Sequence, residues 1–293
     1  MTLVNGRWGS GYSLPATSRP LKSHTGTDTF AGTTIGVEWE WNHNPDTSKY
    51  SVNNGLTLNT VSVTGDLYAA RNTITHRILG PTSSGTIVMD YSSMKDGDRA
   101  GFALLRDTSA YIGVQRNGDT FRISMWSGLT MTSAWKTSNA GSEVAGATIS
   151  GGKIWLRINA NINPGTGRQG RFYYSTNGNS FTQLGSLTMN ADWPFFMGYR
   201  YAIFNHATKS LGGSVRVSSF TVDAPGLTTE KSSYGDTGGN PTTTLRTTTS
   251  AGGVASTTRA ATTTSASGNT GGTVPQYGQC GGSGCKFSFL WII

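Results

Sequence analysis

Ile154-Trp155-Leu156-Arg157-Ile158-Asn159 places an aliphatic residue at every second position, with an aromatic or polar side chain between. A period of two belongs to an extended strand with one face on a core and the other toward solvent. A surface helix would repeat its apolar residues at three- and four-residue spacing instead. The stretch therefore predicts inward Ile154, Leu156 and Ile158, and outward Trp155, Arg157 and Asn159. The same alternation runs through Val37, Trp39 and Trp41 against Glu38 and Glu40, and through Val215 and Val217 against Arg216 and Ser218. Further strands are expected at 56–63, 70–78, 86–91, 100–105, 111–115, 120–126, 170–175 and 195–205. Turn signals such as Asn117-Gly118-Asp119 and Asn177-Gly178-Asn179 join them as antiparallel hairpins. About a dozen such strands bury one face each only if two sheets pack together. Residues 26–225 are accordingly read as an all-β, antiparallel jelly-roll β-sandwich.

Composition narrows the class. The chain has 293 residues, of which 13% are charged and 40 are glycine, so the Glu/Lys/Leu-rich signature of a helical protein is missing. No run approaches the roughly 18 consecutive apolar residues of a membrane-spanning helix, and the opening Met1–Ser10 lacks the apolar core of a secretion signal. Net charge is 23 − 15 = +8. Its arginines are scattered singly, at Arg71, Arg77, Arg99, Arg106, Arg116 and Arg122, without the clustering that tracks a phosphate backbone. Neither nucleic acid nor a membrane is an expected partner, and a monomer is expected.

Composition changes after Pro225. Residues 226–274 are rich in Thr, Ser and Gly, with runs such as Thr242-Thr243-Thr244 and Thr262-Thr263-Thr264. Such a segment cannot bury enough surface to offset its ordering entropy, so a disordered linker, and a natural carrier of O-linked sugars, is expected. Both cysteines, Cys280 and Cys285, lie beyond it, and the sandwich is expected to fold without a disulfide.

Candidate chemistry in the sandwich is sparse. Glu38 and Glu40 would project from one strand face with Cα atoms about 7 Å apart, a spacing glycoside hydrolysis can use. The alternative is a solvated face behind a Trp39/Trp41 core. Asp96-Gly97-Asp98 offers oxygen ligands for calcium, or a turn whose aspartates bond their own backbone. His24, His43, His76 and His206 share no metal-ligand spacing. Trp126, Trp135, Trp155, Trp193, Tyr199 and Tyr201 could stack on pyranose rings, and Trp155 is the favoured sugar contact because it alternates against Ile154 and Leu156.

Four segments carry a resemblance. They are Val37 to Asp46 with its W-x-W-N-H-N-P-D core, Ala70-Arg71-Asn72-Thr73-Ile74-Thr75, Met94 to Gly101, and Arg200 to Asn205 followed by Gly212-Gly213. Together they resemble the concanavalin-A-like C-terminal β-sandwich of glycoside hydrolase family 43, the β-xylosidases and α-L-arabinofuranosidases. The resemblance implies an accessory domain with no catalytic residue of its own. Its partner would be a five-bladed catalytic propeller in cis, the substrate xylan or arabinoxylan, and no cofactor would be required.

Pro275 to Gly284, with its Y-G-Q-C-G-G run, resembles the start of a fungal family 1 cellulose-binding module. That implies residues 275–293 as a truncated module, Tyr277 as a cellulose-platform aromatic, Cys280 without its disulfide partner, and an extracellular protein. Residues 1–25 are read as the remnant of an inter-domain segment whose propeller was lost. The tail from Cys285 is read as translated intron, since Cys285-Lys286-Phe287 can be encoded as TGT-AAG-TTT, which contains the splice signal GTAAGT.

Overall fold

The computed structural model describes residues 6–7, 23–165, 167–192 and 197–225. Trp193, the linker, Tyr277 and Cys280 lie outside the described residues.

The chain forms strands β1 (Gly26–Asp28), β2 (Trp39–Trp41), β3 (Tyr50–Val52), β4 (Leu56–Asn59), β5 (Ile74–Arg77), β6 (Thr82–Asp90), β7 (Asp98–Leu105) and β8 (Thr108–Asn117). It continues through β9 (Thr120–Met131), β10 (Thr137–Ile149), β11 (Lys153–Asn161), β12 (Gln169–Ser175), β13 (Thr182–Thr188), β14 (Arg200–Ala207) and β15 (Ser214–Asp223). Among the described residues, helix is limited to two 3₁₀ turns, Thr47–Lys49 and Leu67–Ala69. One sheet runs β13-β12-β11-β6-β15-β4-β3 with β1 also on β15, and the other runs β10-β9-β8-β7-β14-β5-β2. Every strand pairing is antiparallel, as hairpin connections require.

The alternation in β11 holds at each residue: Ile154, Leu156 and Ile158 are fully buried, while Trp155 and Arg157 are half-buried and Asn159 is exposed. The inner faces of both sheets meet there, packing Ile87, Met89, Phe102, Leu104, Ile112, Ile123, Phe172, Tyr201, Val217 and Phe220 into one core. Each such side chain removed from water contributes about 1.5–3 kcal/mol.

The second sheet is covered on both sides. Along β7, Phe102 and Leu104 point into the main core, whereas Ala103 and Leu105 join a smaller cluster with Leu67, Tyr68, Tyr111, Leu129 and Phe204 on the opposite face. The lid of that cluster is the loop bearing the 3₁₀ turn Leu67–Ala69. Consequently all eight residues of β14 are buried, a pattern that alternation alone would misread.

Besides the three-residue β1 and β3, two longer strands carried no readable signal. Residues 137–149, Thr-Ser-Asn-Ala-Gly-Ser-Glu-Val-Ala-Gly-Ala-Thr-Ile, pair with β9 as the edge strand β10. An edge that is mostly exposed needs no apolar period, so its sequence reads as loop. β13 is hidden for the same reason.

The expectation for residues 37–41 needs correction. The Trp39 N–H donates to the Gly36 carbonyl at 3.2 Å, so Val37 and Glu38 form a turn and the strand begins only at Trp39. Val37 is fully exposed rather than inward. Glu38 and Glu40 therefore do not stand as an i, i+2 pair on one strand.

Candidate functional site

The segments that carried the resemblance are brought together by main-chain geometry. Asn72 has φ +61°, a left-handed backbone that asparagine tolerates better than most residues. In that conformation its buried amide spans Asp46: the Asp46 N–H donates to Asn72 Oδ1 at 2.8 Å, and Asn72 Nδ2 donates to the Asp46 carbonyl at 3.0 Å. Arg71 Nε donates to the Asn44 carbonyl at 2.9 Å, and the Asn42 N–H donates to the Thr73 carbonyl at 2.9 Å. A ring nitrogen of His43 lies 2.6 Å from the Tyr68 carbonyl. These bonds hold the 42–46 loop against residues 68–73.

This clamp forms one wall of a cavity of about 290 Å³ on the outer side of the second sheet. Trp41, His43, Tyr68, Thr75, Trp135 and Met197 line it, together with two ionic centres. Arg200 Nη1 lies 2.8 Å from Glu40 Oε2, and Arg77 Nη2 donates to Glu40 Oε1 at 3.2 Å. Burial works against ionisation of Glu40, but Arg200 and then Arg77 outweigh it and hold its carboxyl below the usual glutamate range. Glu40 is thus a fixed anion between two cations, a poor proton donor.

The second centre is Arg106, buried beside Asp107 at 3.4 Å. Its guanidinium donates to the carbonyls of Met197 at 3.2 Å and Asn190 at 3.0 Å and also to that of Asp192, so it supports the loop that precedes β14. Tyr199, beneath the Arg106 guanidinium, has its hydroxyl pushed up to about 12, chiefly by burial. On the same rim Trp135 is 56% and Met197 46% exposed. Sequence reasoning assigned Arg106 and Arg200 no site role. Their ion-pair partners, adjacent in one case and 160 positions distant in the other, gave no spacing to read.

The other residues of interest are dispersed. Asp96 Oδ2 lies 2.7 Å from Lys209 Nζ, and its Oδ1 accepts from the Gly118 N–H at 2.7 Å. Asp98 is fully buried and accepts from the Lys95 N–H at 2.7 Å, closing the turn that opens β7; burial raises its carboxyl. Among the described residues no three acidic, histidine or cysteine side chains group as metal ligands. Tyr201 is inside the core, its hydroxyl 2.9 Å from Ser83 Oγ. Trp126 lies parallel to Tyr111 at 5.9 Å under the Arg99 guanidinium. Trp155 stands on the outer face of the first sheet, half-buried between Lys153 and the Gly178 turn.

Two antiparallel sheets face to face, closed by a hydrogen-bonded loop clamp, define an all-β sandwich of the concanavalin A-like class. Residues 27–223 match the family described as the β-xylosidase C-terminal concanavalin A-like domain, and the chain belongs to that family.

Relatives agree. A β-xylosidase of Formosa agariphila is 24% identical over 241 residues, covering 73% of this chain and 38% of that protein. Among solved structures, a glycoside hydrolase family 43 enzyme engineered to display both endo-xylanase and exo-arabinofuranosidase activity superposes with a TM-score of 0.68 at 44% identity, over 75% of this chain and 45% of that one. A protein of Bacteroides eggerthii described as bifunctional GH43-CE gives a TM-score of 0.62 at 30% identity, over 75% of this chain and 28% of that one. This chain thus spans less than half the length of these relatives.

Proposed function

We propose that residues 26–225 act as a non-catalytic accessory sandwich of a secreted family 43 glycoside hydrolase that cleaves pentosides of xylan or arabinoxylan. The observation that carries the reading is Glu40. The carboxylate best placed for chemistry is spent on Arg200 and Arg77, while Glu38 lies in a preceding turn. In this reading the acid and base belong to a catalytic propeller in cis, and the exposed Trp135–Met197 rim gives that partner an apolar landing surface.

The Thr/Ser/Gly segment 226–274 would serve as a tether, and residues 275–293, with Tyr277 at a platform position, as the remnant of a cellulose-binding module that is whole only in an intact parent. A tether of this kind raises the local concentration of an attached enzyme at the polymer. The linker and the Y-G-Q-C-G-G run support an extracellular location.

The test is an assay of the purified chain on p-nitrophenyl xyloside and arabinoside. No pentose release is expected. Turnover by the pure chain that disappears in Glu38→Gln would overturn the proposal. Genomic sequence upstream of Met1 that encodes propeller blades in frame would identify the parent enzyme.

A further inference from the structure

The outer face of the first sheet carries a second surface, far in character from the apolar rim around Glu40. Strand register lays one polar row straight across it. Arg171 on β12 faces Asn159 on β11, Asn159 faces Ser84 on β6, and Ser84 faces Asp223 on β15. The neighbouring row continues with Tyr173, Arg157, Thr86 and Thr221 in the same strands. Over the first row, and reaching Arg157 on one side and Gln169 on the other, lies an open groove of about 420 Å³, lined also by Arg171, Asn159 and Asp223.

The two arginines are held differently. Arg157 Nε donates to Thr86 Oγ1 at 2.9 Å, and its guanidinium lies 3.7 Å from the ring centre of Phe181, so it is fixed in place. Arg171 is exposed and makes no hydrogen bond or ion pair with any described residue. The groove therefore presents two guanidiniums against the single carboxylate of Asp223. Amides and hydroxyls fill the rest, the groups that bond sugar hydroxyls. Trp155 and Tyr173, both half-buried, continue the face with ring surface.

Adjacent strands lie about 4.8 Å apart, close to the rise of one β-1,4-linked pyranose. A polysaccharide lying along these rows, across the strands, would meet one strand per sugar. The excess of guanidinium favours a chain that bears carboxylates, because Arg grips a carboxylate through paired N–H donors.

We propose that this groove is a binding site for uronate-substituted xylan, with Arg171 and Arg157 on the carboxylate side group and Asn159, Gln169 and Ser84 on the backbone hydroxyls. That the polymer is a xylan rests on the functional reading above; that it is acidic rests on the groove.

The experiment is affinity electrophoresis of the full 293-residue chain in gels containing glucuronoxylan, carboxyl-reduced glucuronoxylan or polygalacturonate. Arg171→Ala is the test variant and Lys136→Ala, on an exposed turn of the other sheet, is the charge-matched control. Glucuronoxylan should retard the chain strongly and the reduced polymer weakly. Arg171→Ala should lose tenfold or more in apparent affinity while Lys136→Ala keeps it. Asn159→Ala, which leaves charge intact, should also weaken retardation. Equal retardation by the reduced polymer, or no effect of Arg171→Ala, would overturn the groove assignment and leave the family reading untouched. Arg171-dependent retardation that is as strong in polygalacturonate would overturn the xylan part, and with it the substrate reading on which it rests.

Discussion

Trp39 Nε1 donates a hydrogen bond to Asp28 Oδ2 at 2.8 Å, and so ties β2 of one sheet to β1 of the other. Around this bond the indole packs on Phe30, His76 and Phe220 with ring centres 4.9–5.4 Å apart. Asp28 also accepts from the Phe30 N–H at 2.7 Å. One side chain thus joins the two layers by both burial and polarity.

Replacing Trp39 with Phe should keep most of the packing and strand Asp28 Oδ2 without its donor. The expected cost is about 1 kcal/mol, toward the low end of the penalty for an unsatisfied acceptor because Asp28 is only partly buried. Urea unfolding should show a lower midpoint at an unchanged slope. An unchanged midpoint would mean that water replaces the indole donor.

Asn72→Ala should cost about 3 kcal/mol, since it removes two hydrogen bonds to Asp46 and leaves a non-glycine residue at a left-handed φ. Asn72→Gly relieves the backbone but not the lost bonds, so it should fall between the wild type and Asn72→Ala in thermal melting. If the two variants melt together, the bonds rather than the backbone carry the whole effect.

Glu40→Gln should destabilise the domain by no more than about 1 kcal/mol near pH 7, because the carboxylate is largely exposed and its ion pairs are screened. The folded-state pKa is lowered, so this contribution is present above the ordinary glutamate value of 4.5 and disappears as the pH falls through the folded value. Melting curves of the two proteins should therefore differ at pH 7 and converge once the pH has fallen below the lowered folded value.

His206 governs a wider acid window. It is 1% exposed, neither ring nitrogen has a hydrogen-bond partner among the described residues, and it stacks on Phe204 beside Arg99, its register neighbour in β7. Burial, and secondarily Arg99, lowers its pKa from 6.5 to about 3. Between those values the unfolded chain binds a proton that the folded ring refuses, so stability falls as the pH drops from 6.5 toward 3. His206→Phe should flatten that decline, read as a smaller loss of melting temperature between pH 7 and pH 4. An equal loss in both proteins would assign acid sensitivity elsewhere.

The family signature also acquires a physical meaning. Asn42, His43, Asn44, Asp46, Arg71 and Asn72 read in the sequence as a motif of unknown purpose beside two glutamates. In the fold they are a clamp of backbone and amide hydrogen bonds, with Glu40 drawn into an ion pair across the cavity rim.

What the chain determined by its own order of residues was the alternation in β11 and β15, the turns at Gly118 and Gly178, and hence an antiparallel all-β domain. These are local signals, because a side-chain period of two and a left-handed turn residue act within a few positions. That Glu40 is held in an ion pair was settled only in three dimensions. Arg200 reaches Glu40 from 160 positions away, and Arg171 meets Asn159 through strand pairing. Edge strands such as β10 were likewise illegible, and so was the burial of both faces of β14, although its strand was read. Their burial depends on what packs against them, and no periodicity within the strand records that.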